Sequence, residues 1–112
     1  VKERLIEMSW DISLKQKEML DVEVADIGNY TYNVSKMYVE AMGQSLSAFN
    51  GVNAGESTLL LRQCVEEMIS NPEKYKAMNP PNGWGNYEGA LAYVQKLLHE
   101  CEKNPNSTIE VS

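Results

Sequence analysis

Two segments of the chain combine aromatic rings with asparagine amides: Asn29-Tyr30-Thr31-Tyr32-Asn33 and Asn82-Gly83-Trp84-Gly85-Asn86-Tyr87-Glu88. Asparagine occurs ten times, and many of these residues sit beside an aromatic. Rings offer stacking faces, and each amide offers a donor next to an acceptor. Both segments precede a helical pattern, where free backbone N–H groups favour acceptors and anions. Such a set suits a flat polar ligand of the nucleobase kind. The candidate ligand residues are Asn29, Tyr30, Tyr32, Asn33, Asn82, Trp84, Asn86, Tyr87 and Glu88. A purely architectural role competes with this. Asn33 and Asn86 can cap helices, Gly83 and Gly85 can supply positive φ in a tight turn, and Trp84 can plug the core beneath its loop. The deciding observation is whether the two segments meet around a cavity.

Other chemistry is sparse. Gly55-Glu56-Ser57-Thr58 places two hydroxyls at a helix start, but Glu56 opposes an anion and no G-K-[ST] is present, so a phosphate loop is not read here. The chain has two cysteines, Cys64 and Cys101, and one histidine, His99. These three cannot supply the four closely paired ligands of a structural zinc site. Both cysteines fall at apolar helical positions and read as reduced core thiols, with a Cys64–Cys101 bridge as the alternative. His99 lies beside an apolar stripe among glutamates and reads as a surface residue. No nucleophile with a local base, metal set or carboxylate pair is legible. The expectation is a protein that is not an enzyme, with no catalytic residue, metal or cofactor.

The acidic residues gather. Glu18, Asp21, Glu23, Asp26 and Glu40 are opposed between residues 18 and 40 only by Lys36, which accounts for four of the six net negative charges. Glu18, Asp21, Glu23 and Asp26 are the candidate partner-binding residues, forming an acidic face for a basic partner. The simpler alternative is an edge strand guarded by charge.

The elements that must hold these residues are set by periodicity. Trp10, Ile12 and Leu14 alternate with Asp11 and Ser13, which predicts a half-buried strand. Val22 and Val24 alternate with Glu23 and Ala25 and predict a second, joined by residues 15–21, a turn without glycine. Thr108-Ile109-Glu110-Val111 predicts a third. Asn33 is the expected N-cap of a helix whose stripe is Val34, Met37, Tyr38, Ala41 and Met42, closed by Gly43. Leu46, Phe49 and Val52 keep helical spacing through a broken segment at 44–55. A second helix is expected from about Ser57 to Ser70, burying Leu61, Cys64, Val65, Met68 and Ile69. Asn71-Pro72 starts a short turn of helix carrying Tyr75 and Met78. A third main helix is expected from about Tyr87 to Lys103, with Tyr87, Leu91, Val94, Leu98 and Cys101 inside. The fold class is therefore α+β: a small antiparallel sheet of about three short strands with three main helices packed on one face.

The chain has 112 residues and a mass of 12.6 kDa, with 10 basic and 16 acidic side chains. That is one domain, and size scaling has it bury about two thirds of its surface on folding. The net charge of −6 argues against direct nucleic-acid binding and against a polybasic membrane contact. No apolar run is long enough to span a bilayer. The expected location is the cytoplasm. Residues 1–7, V-K-E-R-L-I-E, lack the alternation that begins after Met8 and read as an N-terminal extension before a start at Met8, with a short N-terminal helix as the alternative. The domain is then 8–112.

M-S-W-D-I at 8–12 and N-Y-T-Y-N-V-S-K at 29–36 resemble the corresponding segments of a group of small uncharacterised phage and prophage proteins. N-G-W-G-N-Y-E at 82–88 resembles another recurring element of small phage proteins, one that precedes a helix with a late Cys and an I-x-V-S ending; here these are Cys101 and Ile109-Glu110-Val111-Ser112. The resemblance implies a viral or mobile-element origin, a start at Met8 and the cytoplasm of an infected or lysogenic bacterium. It implies no activity. Three function classes remain: an accessory protein that binds a host protein to counter a defence system, a small-ligand binder of the nucleotide kind, and an enzyme of unknown reaction. A homo-oligomer through Leu59 and Leu60 is also open.

Overall fold

The alternation of Trp10, Ile12 and Leu14 puts the central strand of the sheet at the bottom of the core. The computed structural model describes residues 9–112, so the expectations about residues 1–7 and a start at Met8 lie outside the described residues. Strand β1 is Ser9–Lys15, β2 is Glu23–Thr31 and β3 is Thr108–Val111. They form one antiparallel sheet in the order β2-β1-β3. The helices are α1 (Ser35–Met42), α2 (Ala54–Ser70), the short α3 (Pro72–Lys76) and α4 (Tyr87–Lys103), with 3-10 turns at Tyr32–Val34 and Leu46–Phe49. The α+β class with a small antiparallel sheet is the observed architecture.

Strand β2 differs from expectation. It starts at Glu23 and runs nine residues, so Asn29, Tyr30 and Thr31 belong to the sheet and do not lie in a loop before a helix. The seven residues of β1 accept this longer partner through two bulges. The register steps from Ile12↔Gly28 to Ser13↔Asp26, leaving Ile27 over, and from Leu14↔Ala25 to Lys15↔Glu23, leaving Val24 over. Each bulge adds one residue and restores the face on which the next side chain falls. Ile27 is buried, whereas Val22 and Val24 are exposed and do not form the inner face their alternation suggested. The hairpin needs no glycine, because two successive backbone turns close it: Met19 N–H donates to Gln16 O at 3.2 Å and Val22 N–H to Met19 O at 2.9 Å.

The inner face of the sheet carries Trp10, Ile12, Leu14 and Ile109, all buried under the helices. Met37 and Tyr38 of α1, Leu61, Cys64, Val65 and Met68 of α2, and Ala90, Tyr93, Val94, Leu97 and Cys101 of α4 complete one core. Full burial of an aliphatic side chain stabilises by roughly 1.5–3 kcal/mol before entropic costs. Ile69 is exposed, because α2 turns only a narrow stripe inward. Helix α2 begins three residues earlier than expected, capped by Asn53, whose Oδ1 accepts Glu56 N–H at 2.8 Å. Gly43 closes α1 in the left-handed region, at φ 83°. The outer edge of β3 is covered: Gly51 N–H donates to Ile109 O, and Ile109 N–H to Val52 O.

Candidate functional site

The Asn29–Asn33 and Asn82–Glu88 segments do meet, in direct contact through Tyr30, Thr31 and Gly85. Tyr30 stands on β2 opposite Trp10, and its hydroxyl reaches the N-terminus of α4. There it accepts Asn86 N–H at 3.2 Å and donates to Asn86 O at 3.4 Å. Its ring stacks on Tyr93 at 5.4 Å between centroids. A β-carbon on Gly85 would lie 2.6 Å from Thr31 Cγ2 and 2.9 Å from Val34 Cγ1, and Gly85 itself has φ +92°. Only glycine meets both demands. The turn before α4 is thus locked directly onto the end of β2.

Most of the other candidates are engaged in the same joint or in the core. Tyr32 packs on Trp10 at 5.0 Å between centroids. Asn29 Nδ2 donates to Trp10 O at 2.8 Å. Asn33 is not the N-cap it was expected to be. Thr31 holds that role for the 3-10 turn: its Oγ1 accepts from Asn33 N–H at 3.2 Å and from Asn33 Nδ2 at 2.9 Å. Asn82 Oδ1 accepts Trp84 N–H at 2.9 Å, and Asn86 caps α4 by accepting Gly89 N–H at 2.7 Å. Tyr87 is buried, its hydroxyl donating to Met68 O at 2.8 Å and its backbone N–H to Asn79 Oδ1 at 2.8 Å. Glu88 faces solvent in the first turn of α4, where a carboxylate favours the helix dipole.

Trp84 is the exception. It does not plug the core; its side chain stays 52% exposed. The loop beneath it turns through Gly83 and Gly85, both at positive φ, with Trp84 N–H bonded to Asn82 Oδ1 and Gly83 N–H donating to Pro80 O at 3.3 Å. A large apolar ring is therefore held out into solvent, one residue before the packed Gly85.

Two surface grooves lie elsewhere, and neither is lined by the aromatic and asparagine candidates. One, of about 460 Å³, lies between the β1–β2 hairpin and residues 103–107, with Val24 and Glu18 in its wall. The other, of about 360 Å³, lies along α1 at Ser35, Lys36, Val39 and Glu40, facing Met78. Within the aromatic cluster, Asn29, Tyr30, Asn33 and Tyr87 are engaged with backbone, with Thr31 or with another ring, so the cluster serves as a joint between β2 and α4. The Gly55–Thr58 segment likewise turns its hydroxyls onto its own helix: Ser57 Oγ donates to Asn53 O and Thr58 Oγ1 to Gly55 O, both at 2.9 Å.

The acidic residues divide. Glu23 and Asp26 lie opposite Lys15 and Ser13 on the open face of the sheet, and Glu18 and Asp21 lie in the hairpin turn. The register adds two residues that sequence proximity could not supply, Asp11 on β1 and Glu110 on β3, the latter opposite Ser13. Lys15 sits between Glu23 and Glu110, at 3.7 and 3.9 Å. Glu40 is elsewhere, on α1, where Lys74 Nζ bridges it at 3.0 Å to Glu67 at 3.2 Å. The hydroxyl of buried Tyr75 also donates to Glu67, at 2.8 Å. Hydrogen bonds from Tyr75 and Lys74 hold the Glu67 carboxyl below its ordinary range, and the Glu40 and Glu67 carboxylates raise Lys74.

Cys64 and Cys101 are both buried and free. Burial, with the nearby Glu67, pushes the Cys64 thiol up to about 12; burial, with Glu100 and Glu102, does the same for Cys101. A thiol held protonated is a poor nucleophile and a poor metal ligand. His99 is exposed on α4. Among the described residues no group of three His, Cys, Asp or Glu side chains is placed to hold a metal ion, and no helix is long and apolar enough to cross a membrane. No family model, no curated protein and no solved structure matches the chain.

Proposed function

We propose that this protein is a non-enzymatic accessory protein of a phage or prophage, which binds a protein of the bacterial host in the cytoplasm and thereby blocks a defence system. The origin rests on the resemblance carried by residues 8–12, 29–36 and 82–88. The binding role rests on one observation, the half-exposed Trp84 on a loop that Gly85 anchors to the end of β2. Tryptophan is the side chain most enriched among residues that dominate protein–protein affinity. A loop already ordered in the free protein loses little conformational freedom on association, so more of the contact energy appears as affinity. The buried, protonated thiols support the non-enzymatic side of the reading.

Capture from host lysate tests this, using immobilised wild-type protein beside Trp84→Ala. A stoichiometric host protein retained by the wild type and lost from the variant supports the proposal. Absence of any such protein at micromolar bait, or equal retention by both baits, overturns it.

A further inference from the structure

We propose that the β1–β2 hairpin and the open edge of β2 receive an extended, lysine- or arginine-rich segment of a partner protein, added as a fourth strand. This rests on the partner-binding reading and names the chemistry of what is bound at a second surface, at the opposite end of β2 from the Trp84 loop.

The two sheet edges are treated differently. The outer edge of β3 is closed by residues 50–53, with Val111 N–H also donating to Asn50 Oδ1 at 2.9 Å. Strand β2 is two residues longer than β1, and among the described residues no strand lies on its outer side. At Gly28 side chains engage both backbone groups, the N–H donating to Asp26 Oδ1 at 2.9 Å and the carbonyl accepting from the Tyr93 hydroxyl at 2.7 Å, so the open stretch is Glu23 to Ile27, a template for strand addition. Beside it, Met19, Leu20, Val22 and Val24 are 53%, 53%, 37% and 43% exposed. Four exposed large apolar side chains within six residues are unusual for a turn that only has to reverse the chain.

Charge selects the occupant. Residues 16–26 carry one lysine, Lys17, against Glu18, Asp21, Glu23 and Asp26, and the adjoining sheet face adds Asp11 and Glu110. Lys15 on that face is already bracketed by two carboxylates. A second copy of the chain would bring β2 beside β2 and set carboxylates next to carboxylates, which destabilises cross-strand pairs. Nucleic acid has the wrong sign. A segment carrying both basic and apolar residues would meet the carboxylates and the exposed Met19, Leu20, Val22 and Val24.

The test uses ¹⁵N-labelled full chain and two ten-residue peptides, one alternating Lys and Val and one alternating Glu and Val. The Lys-Val peptide should shift amide resonances of residues 16–26 and protect those of β2 from exchange, with affinity falling at least tenfold between 50 and 500 mM salt. Glu18→Lys/Asp21→Lys, two turn residues outside the sheet ladder, should weaken it at least tenfold while the spectrum of the free protein stays folded. Equal binding of the Glu-Val peptide, no shifts at millimolar peptide, or shifts confined to the Trp84 loop would overturn the proposal. So would a concentration-dependent dimer, in sedimentation, that blocks the same amides. Trp84→Ala should leave peptide binding unchanged, so failure here and failure of the lysate capture are separate results.

Discussion

The Tyr30 hydroxyl occupies the space into which a β-carbon on Gly89 would project, while hydrogen-bonding both backbone polar groups of Asn86. Strand β2 and helix α4 therefore approach each other at a distance set by one missing side chain.

Gly89→Ala should destabilise the protein by about 1–3 kcal/mol, the usual cost of overpacking, despite alanine's better helix propensity. In a Tyr30→Phe background the same substitution should cost less, because the obstructing oxygen is gone. Urea denaturation of the four proteins of this cycle gives the coupling directly. Equal costs in both backgrounds would show that the helix shifts freely at this point.

Asn53→Ala and Asn86→Ala each remove a side chain that accepts a helix N–H, from Glu56 and Gly89 respectively. Each should lower stability by about 1 kcal/mol, and the glycine substitutions by only a few tenths. Asn33→Ala, a residue that caps nothing, should cost less than either. Thermal melts of the three alanine variants rank them.

The cysteines make stability fall in alkali. An unfolded thiol loses its proton near 9, whereas the folded pair hold theirs to about 12. Between these limits the unfolded chain binds fewer protons than the native one, so stability declines as pH rises. Buried Tyr38 and Tyr93, also raised by burial, add to the decline at higher pH. Cys64→Ala should give a shallower slope in urea midpoints between pH 8.5 and 10, and thiol reagents at pH 8 should label wild type only on unfolding.

Glu67 acts in the opposite direction. Its carboxyl is held low by Tyr75 and Lys74, so its contribution is complete above the ordinary carboxylate range and is lost as pH falls through its depressed folded value. Glu67→Gln should be less stable than wild type at pH 7, and the difference should shrink toward pH 3. A constant difference across that range would remove the carboxylate from the account.

Trp84→Ala should change unfolding free energy by no more than about 0.5 kcal/mol, as expected of an exposed side chain. The same variant should lose at least roughly 30-fold in affinity for the captured host protein, the level of a dominant interface residue. Calorimetry on the purified pair checks the second figure.

Much of this fold is legible in sequence because period-two and period-3.6 patterns survive intact in Trp10–Leu14 and along α4. The first aromatic cluster reads as a segment ahead of a helix because β2 does not alternate cleanly. Its two bulges break the period at Val24 and Ile27, so the pattern fades well before the strand ends. Asn33 misleads because Thr31, two residues earlier, has the same capping chemistry, and backbone geometry chooses between them. The meaning of the aromatic clusters is out of reach from composition. A tyrosine that stacks and donates inside a joint looks in sequence like one that waits for a ligand. Gly89 does carry a signal, a glycine in the first turn of an otherwise strong helix. The acidic face is visible only in part, because Asp11 and Glu110 join it through pairing across the whole chain.

Pairing across the whole chain also orders events during synthesis. Leu14 of the central strand meets Ile109, and Asp11 exchanges backbone hydrogen bonds with Ser112. Until residues 108–112 have been made, β1 has a neighbour on one side only, and the hairpin is a two-stranded ribbon of marginal stability. Without β3, the edge of β1 from Ile12 to Lys15 is open beside the core residues Ile12 and Leu14. The four residues of β3 seal that edge, so a chain in which this long-range pairing is slow to form keeps an aggregation-prone strand open.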